Sequence, residues 1–194
     1  MTVLSTISHK NISSPKNGGK NIQSAALIRQ QIQERHLEVE KLPGVYCWWF
    51  PKQDAEKILS QFSNRHLIPD NSIQIRQIHG ETYCALYFGI SSDMSRRIRW
   101  HVLGPFKSST LRRTLRAIMA PKTDEKKAET IVNQLIDNCY WEWQYTDSME
   151  QAEKKETEEL TQRKFAYPLN ISKNKTVPYE WITELKQMRS NLKK

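Results

Sequence analysis

The sequence has little of what marks a secreted, zinc-binding or membrane-spanning protein. Its 194 residues include only three cysteines, which are widely spaced with no Cys-x-x-Cys pair and no histidine cluster. We therefore exclude a zinc site and expect Cys47, Cys84 and Cys139 to be reduced core residues. No apolar run approaches the roughly 18 residues of a membrane span, and the N-terminus has no signal-peptide-like hydrophobic stretch. These absences predict a cytoplasmic protein without membrane contact.

Acidic residues are missing from one long stretch of the chain. Between Met94 and Thr123 there is no Asp or Glu, but there are eight Lys or Arg residues, in a chain with a net charge of +9. Such a run is either an ordinary solvated face or a surface for a polyanion, and its overlap with the motif helix described below favours the polyanion. We predict nucleic-acid contacts from Arg96, Arg99, Lys107, Arg112, Arg113 and Arg116.

Hydrophobic periodicity predicts a small sheet flanked by helices. The strands are expected at 45–50, 72–78, 82–90 and 140–145. The helices are expected at 25–37, 54–63, 94–103, 109–119 and 124–137, then in the glutamate-rich stretch around 153–159 and again after Pro178. This order indicates the α+β class, with a central antiparallel or mixed β-sheet.

Residues 85–101 form the most informative segment. A buried strand runs to Ile90, Gly89 permits a close turn, and a helix starts near Met94 after several residues that make good N-caps. On that helix Arg97 and His101 are four residues apart, so they share a face at the edge of the core. Because both side chains then point toward the end of the strand, the arrangement suits a phosphate.

The same segment carries a family resemblance. Gly44-Val45-Tyr46 and Tyr87-Phe88-Gly89 resemble the two halves of the GIY-YIG nuclease signature, and Arg97 and His101 match the family's helical arginine and histidine. Residues 158–170, which end in Pro-Leu-Asn, resemble the family's closing pattern of a metal-binding glutamate, a helix and an asparagine. The resemblance covers about residues 42–174.

Two departures from the family pattern affect the interpretation. The motif tyrosines Tyr46 and Tyr87 are 41 residues apart, so an insertion is expected at about 51–80. The identity of the metal-binding glutamate is ambiguous, because Glu156, Glu158 and Glu159 are close together in the sequence. Glu158 is preferred because it lies twelve residues before Asn170. The expected organisation is a flexible basic arm (1–22), an N-terminal helix (23–41), a nuclease domain (42–174) and a C-terminal helix (175–194).

The resemblance implies a metal-dependent endonuclease that hydrolyses phosphodiester bonds in DNA. Phosphodiester hydrolysis requires an activated water and relief of charge on the phosphate. We expect Tyr46 to position or deprotonate the water and Arg97 to bind the scissile phosphate. One Mg²⁺ or Mn²⁺ is expected per site, held by Glu158. The remaining expected site residues are Tyr87 and His101, which orient the water or phosphate, and Asn170, which fixes the metal end of the cleft.

Two other functions are compatible with the sequence. A non-catalytic nucleic-acid-binding module on the same scaffold would use the basic helices without holding a metal, and a structural adaptor would use the C-terminal helix. The charge run makes the adaptor the weakest of the three. The expected substrate is double-stranded DNA, and cutting both strands from a site with one metal requires a homodimer or two sequential nicks.

Overall fold

The computed structural model describes residues 19–162 and 164–192. Within them, five strands form one antiparallel sheet in the order β1-β5-β2-β4-β3. The strands are β1 (Asn21–Ser24), β2 (Gly44–Pro51), β3 (Ile75–Ile78), β4 (Glu81–Ser91) and β5 (Tyr140–Tyr145). The helices are α1 (Ala25–Gln33), α2 (Lys52–Leu59), α3 (Met94–Val102), α4 (Thr110–Met119), α5 (Glu125–Asp137), α6 (Met149–Thr161) and α7 (Tyr179–Asn191). The predicted α+β class is confirmed, with a sheet that is antiparallel rather than mixed.

Strand β2 lies at the centre of the sheet and is buried along almost its whole length. It pairs with β4 on one side and β5 on the other, so neither of its edges is open. Tyr46 lies opposite Gly89, and Trp48 lies opposite Tyr87. Because side chains alternate along a strand, this register puts Tyr46 and Tyr87 on the same face of the sheet.

The two faces of the sheet bury separate hydrophobic clusters. The larger cluster contains Tyr46 and Trp48 and is covered by helices that include α3, α4, α5 and α7. The smaller one lies on the other face, around Cys47 and Trp49, with Ala152 and Leu160 of α6. The motif tyrosines therefore face the helix that carries Arg97 and His101. All three cysteines are buried and unpaired, as predicted.

The N-terminal segments differ from the sequence prediction. Residues 21 and 22, assigned to the basic arm, belong to β1, which pairs with β5; the arm's residues 1–18 lie outside the described residues. The helix expected at 25–37 ends at Gln33, because Arg35 adopts a left-handed conformation with φ of 63°. A residue with positive φ cannot continue a right-handed helix.

The segment between the motif strands extends the sheet. Residues 51–80 contain α2, two short 3-10 turns and β3, and β3 forms the outer strand next to β4. This arrangement leaves β2 and β4 as direct neighbours although Tyr46 and Tyr87 are 41 residues apart in the sequence. In the described part of the chain no helix has both the length and the apolar character needed to cross a bilayer.

Candidate active site

Two glycines allow the motif strands to approach each other closely. A Cβ on Gly89 would lie 2.6 Å from the Tyr46 hydroxyl oxygen, and one on Gly44 would lie 2.4 Å from the Gln144 carbonyl oxygen of β5. A Cβ at Gly44 would clash with backbone, so that position requires glycine, whereas a Cβ at Gly89 would displace the Tyr46 ring. Gly89 therefore allows the Tyr46 ring to lie across β4 toward α3.

Tyr46, His101 and Ser109 form a buried hydrogen-bonded chain. The Tyr46 hydroxyl lies 2.9 Å from His101 Nε2, and His101 Nδ1 lies 2.8 Å from Ser109 Oγ. Ser109 is also the N-cap of α4, where its Oγ accepts from the Arg112 backbone N–H. The N-cap of α4 thus orients the imidazole, and the imidazole in turn orients the tyrosine hydroxyl. The sequence predicted a helix here but not this role of Ser109.

Both tyrosine hydroxyls are neutral in this environment. Burial raises the pKa of Tyr46 well above its usual value, and Tyr87 and Glu156 act in the same direction. Burial also raises the pKa of Tyr87, while Arg97 lowers the pKa of both hydroxyls. In the free protein both groups are therefore neutral hydroxyls rather than phenolates.

His101 is buried in its neutral form. Burial, with Arg97 and Arg112 nearby, lowers the pKa of His101 well below its usual value. Because the imidazole is uncharged at neutral pH, one of its ring nitrogens is free to accept a hydrogen bond from a neighbouring hydroxyl.

The lowered pKa of His101 predicts a pH-dependent stability. Above about pH 6.5 the histidine is neutral in both the folded and unfolded states and contributes nothing. Below that pH the unfolded chain takes up a proton that the folded chain resists, so the free energy of unfolding falls by about 1.4 kcal/mol per pH unit. Urea unfolding between pH 7.5 and 5.5 measures this loss. A His101→Gln control should lack the His101 contribution, and equal slopes in both proteins would contradict the assignment.

Arg97 lies beside the tyrosines without a counter-ion. Asp93, which caps α3, accepts from the Arg96 backbone N–H and so fixes the start of the helix that carries Arg97. The guanidinium lies 5.5 Å from the centre of the Trp100 ring, and its buried Nε has no hydrogen-bond partner. No carboxylate of the described residues forms an ion pair with Arg97. An uncompensated cation at the edge of the core is suited to an anionic ligand.

The three candidate glutamates of α6 point in different directions. Glu156 lies four residues from both Ala152 and Leu160, the buried residues of α6, so it shares their packed face. Its carboxylate is half-buried, and its charge raises the pKa of the Tyr46 and Tyr87 hydroxyls although α6 covers the other face of the sheet. Glu158 is exposed, on the other side of the helix.

Glu159 has a different partner. Its carboxylate accepts from the Tyr167 hydroxyl at 3.0 Å, next to the smaller hydrophobic cluster. Within the described residues, no hydrogen bond or ion pair engages the Glu156 carboxylate. Burial raises the pKa of Glu156, an effect that Lys173 opposes and Glu153 reinforces. Of the three candidate glutamates, Glu156 is the one whose charge raises the pKa of both motif tyrosines.

The fold and the grouping of Tyr46, Tyr87, Arg97 and His101 agree with the comparison to protein families. A family model described as the GIY-YIG catalytic domain matches residues 44–191. The chain belongs to the GIY-YIG nuclease family. No curated protein and no solved structure matches the chain in the corresponding comparisons. GIY-YIG membership indicates a nuclease-type fold and a nucleic-acid substrate, and the match includes α7, which the sequence reading kept outside the domain.

GIY-YIG nucleases generally depend on a divalent metal, and Glu156 has the chemistry to hold one. Mg²⁺ takes oxygen ligands, keeps several waters, and is commonly bound by one or two carboxylates together with substrate phosphates. No group of three or more His, Cys, Asp or Glu side chains gathers within the described ranges. A half-buried carboxylate without a partner is nevertheless a site where a cation is stabilising, so the donor set fits a metal bound by one protein ligand.

Asn170, the last motif residue of the GIY-YIG resemblance, braces β4. Its Oδ1 accepts from the Phe88 N–H at 2.9 Å, and its Nδ2 donates to the Phe88 carbonyl at 2.6 Å. Next to it, Leu169 donates its backbone N–H to the Leu86 carbonyl. These bonds give partners to the backbone N–H and C=O groups on the outer edge of β4, in the part of the strand that extends beyond β3. Because both ends of the amide are occupied, Asn170 holds the strand that carries Tyr87 and Gly89.

The predicted nucleic-acid surface requires one correction. Arg112 is only 1 % exposed, and its guanidinium donates to the carbonyls of His101 and Val102 at 3.3 and 3.2 Å. Burial lowers the pKa of Arg112 to about 10, so it stays charged at neutral pH. We withdraw Arg112 from the contact surface, since it fastens α4 to the C-terminal end of α3. Of the other predicted contacts, Arg96, Arg99 and Lys107 are exposed, and Arg113 and Arg116 are half-buried.

Proposed function

We propose that this chain is a metal-dependent endonuclease that hydrolyses phosphodiester bonds in DNA. One observation carries the proposal: an unpaired cation, Arg97, and an unpaired half-buried carboxylate, Glu156, both act on the hydroxyls of Tyr46 and Tyr87. An anion-binding group and a cation-binding group that both influence two buried hydroxyls match the needs of phosphodiester hydrolysis.

In this proposal Tyr46 transfers a proton without becoming a lasting phenolate. The hydroxyl accepts a proton from the attacking water as it gives its own to Nε2 of neutral His101, 2.9 Å away. In the tautomer that this step requires, the His101 Nδ1–H donates to Ser109 Oγ. The relay leaves no lasting negative charge on the buried tyrosine, and the positive charge on His101 is transient because burial, Arg97 and Arg112 disfavour it.

The other residues act on the phosphate and on the geometry. Arg97 binds the scissile phosphate and the charge that develops on it, and Tyr87 orients the water or the phosphate. We assign the metal to Glu156 in place of Glu158; Mg²⁺ or Mn²⁺ would supply Lewis-acid stabilisation of the phosphate there. Asn170 positions β4 through its two bonds to Phe88.

The basic surface would position the DNA. Arg96, Arg99, Lys107, Arg113 and Arg116 are proposed to contact backbone phosphates. Phosphate contacts fix the position of a duplex without reading its sequence. The proposed substrate is therefore double-stranded DNA of unspecified sequence, cut by a homodimer or by sequential nicks.

The proposal predicts that Arg97→Ala abolishes cleavage and leaves most of the binding. Loss of one group that stabilises transition-state charge costs about 100-fold or more in rate. The assay is conversion of supercoiled plasmid to nicked and linear forms with Mg²⁺ or Mn²⁺, and EDTA is the negative control. Arg96→Ala is the control variant on the same helix. It should weaken DNA binding modestly and slow cleavage only as much as the weaker binding explains.

The assay also distinguishes the binding module. A purified wild type that binds DNA but leaves plasmid intact with both metals would establish that alternative. Cleavage that persists unchanged in Arg97→Ala would instead point to a contaminating nuclease and remove the support for this site.

A further inference from the structure

Helix α7 is firmly docked on the domain. The Trp181 indole N–H donates to the Pro168 carbonyl at 2.8 Å, and the Trp181 ring stacks on Phe62 with 3.9 Å between ring centres. Glu184 accepts from Ser63 and Asn64, which ties the middle of the helix to the segment after α2. The helix also packs against α4. Its position relative to the active site is therefore defined by specific contacts.

Arg189 lies on the packed side of α7. It follows Trp181 and Leu185 at intervals of four residues, and both of these side chains are fully buried. Residues at that spacing share one helix face. The half-buried Arg189 side chain therefore extends along the face that meets α4, where Arg113 is also half-buried.

The surroundings of Arg189 contain a like charge and a motif tyrosine. Burial and the neighbouring Arg113 lower the pKa of Arg189, whereas Tyr87 acts in the opposite direction. In return, Arg189 lowers the pKa of Tyr87, as Arg97 also does. Tyr87 is thus a common neighbour of Arg97 on α3 and Arg189 on α7.

No acidic side chain compensates this pair of arginines. Within residues 19–162 and 164–192, neither Arg113 nor Arg189 has an ion-pair partner. The buried Nε of Arg113 has no hydrogen-bond partner either. Two half-buried like charges destabilise the free protein unless an anion binds between them.

We propose that Arg113 and Arg189 together bind a second backbone phosphate, next to the one at Arg97, so that α7 is part of the substrate site. This inference rests on the proposed action on nucleic acid. It adds Arg189 to a site whose predicted residues all lay before residue 171. Arginine suits the role because its planar guanidinium binds phosphate oxygens in pairs.

The test is the salt dependence of DNA binding. A fluorescein-labelled DNA duplex is titrated with full-length protein in EDTA over a series of KCl concentrations, followed by fluorescence anisotropy. Arg189→Ala and Arg113→Ala should each weaken binding about tenfold and make the slope of log K against log[KCl] shallower by about 0.9, the value for one phosphate. The double variant should be little weaker than either single one, because both residues serve one phosphate. Lys186→Ala, an exposed cation of α7, is the matched control and should keep the wild-type slope.

Thermal unfolding separates ligand binding from a structural role. Removal of one of two repelling arginines should leave the unfolding midpoint unchanged or raise it, whereas loss of a structural contact would lower it. In cleavage assays Arg189→Ala should raise KM and change kcat less than about threefold.

Three results distinguish a failure of the second phosphate site from a failure of the proposed function. A wild-type slope in Arg189→Ala, with cleavage intact, overturns the second phosphate site alone. A wild type that binds no DNA overturns both this site and the proposed function. A wild type that binds without cutting removes the nuclease proposal, and a shallower slope in Arg189→Ala would then still support the phosphate site.

Discussion

Glu156→Gln is expected to slow metal-dependent cleavage by about 1000-fold or more, whereas Glu158→Gln should change the rate less than about threefold. Metal stabilisation of transition-state charge contributes several kcal/mol, and an amide oxygen holds Mg²⁺ far more weakly than a carboxylate does. Glu156 lies on the packed face of α6 and acts on both motif tyrosines, while Glu158 is exposed two positions further on. The single-turnover rate at saturating Mg²⁺ measures the effect.

The two variants control for each other. Both remove one negative charge from the same helix, so a general electrostatic effect on DNA binding should be similar in the two. DNA affinity in EDTA should fall in neither variant, because the removed charge repels phosphate. If Glu158→Gln abolished cleavage and Glu156→Gln remained active, the twelve-residue spacing from Asn170 would be the better guide to the metal ligand.

Tyr46→Phe is expected to slow cleavage by about 1000-fold, within the range of roughly 100 to 10,000 for loss of a proton-transfer group. The substitution keeps the ring against Gly89 but removes the hydroxyl between the water and His101. His101→Ala should have a similar effect, and the double variant should be no slower than either single one, because both residues act in one relay. Single-turnover rates of the three variants measure this non-additivity.

The relay also predicts what should stay constant. DNA affinity in EDTA should be unchanged in Tyr46→Phe, because no charge is lost. Tyr87→Phe should have a smaller effect than Tyr46→Phe, because Tyr87 orients rather than relays. Full activity in Tyr46→Phe would remove the relay, and multiplicative losses in the double variant would show that Tyr46 and His101 act separately.

Local structure was largely predictable from the sequence. Strand β5 has the predicted bounds, and α3 differs at one end by a single residue, with Met94, Ile98 and Val102 buried as its spacing required. These elements could be predicted because a hydrophobic period and an N-cap both depend on residues only a few positions apart in the sequence. The predicted end of the basic arm at residue 22 was wrong, because β1 already starts at Asn21. This edge strand has four mostly polar residues without a hydrophobic period, and it forms through its pairing with β5.

The site was less predictable than the elements that carry it. The sequence left Glu156, Glu158 and Glu159 open, and the metal ligand among them stays a prediction; the structure adds that Glu156 lies midway between the buried Ala152 and Leu160 on α6. Ser109, Arg112 and Arg189 had no comparable signal, because their partners come from other elements. A run of basic residues does not indicate that Arg112 is buried against α3 while Arg99 faces outward.

The sequence by itself determined the class of the fold, the family, and the motif residues Tyr46, Tyr87, Arg97 and His101. These follow from local periodicity and from short patterns in a fixed order. Only the tertiary structure decided which charges remain unpaired, and which charges of α6 and α7 influence the pKa of the motif tyrosines. Burial, pKa and charge compensation depend on neighbours distant in the sequence, and packing alone brings those neighbours together.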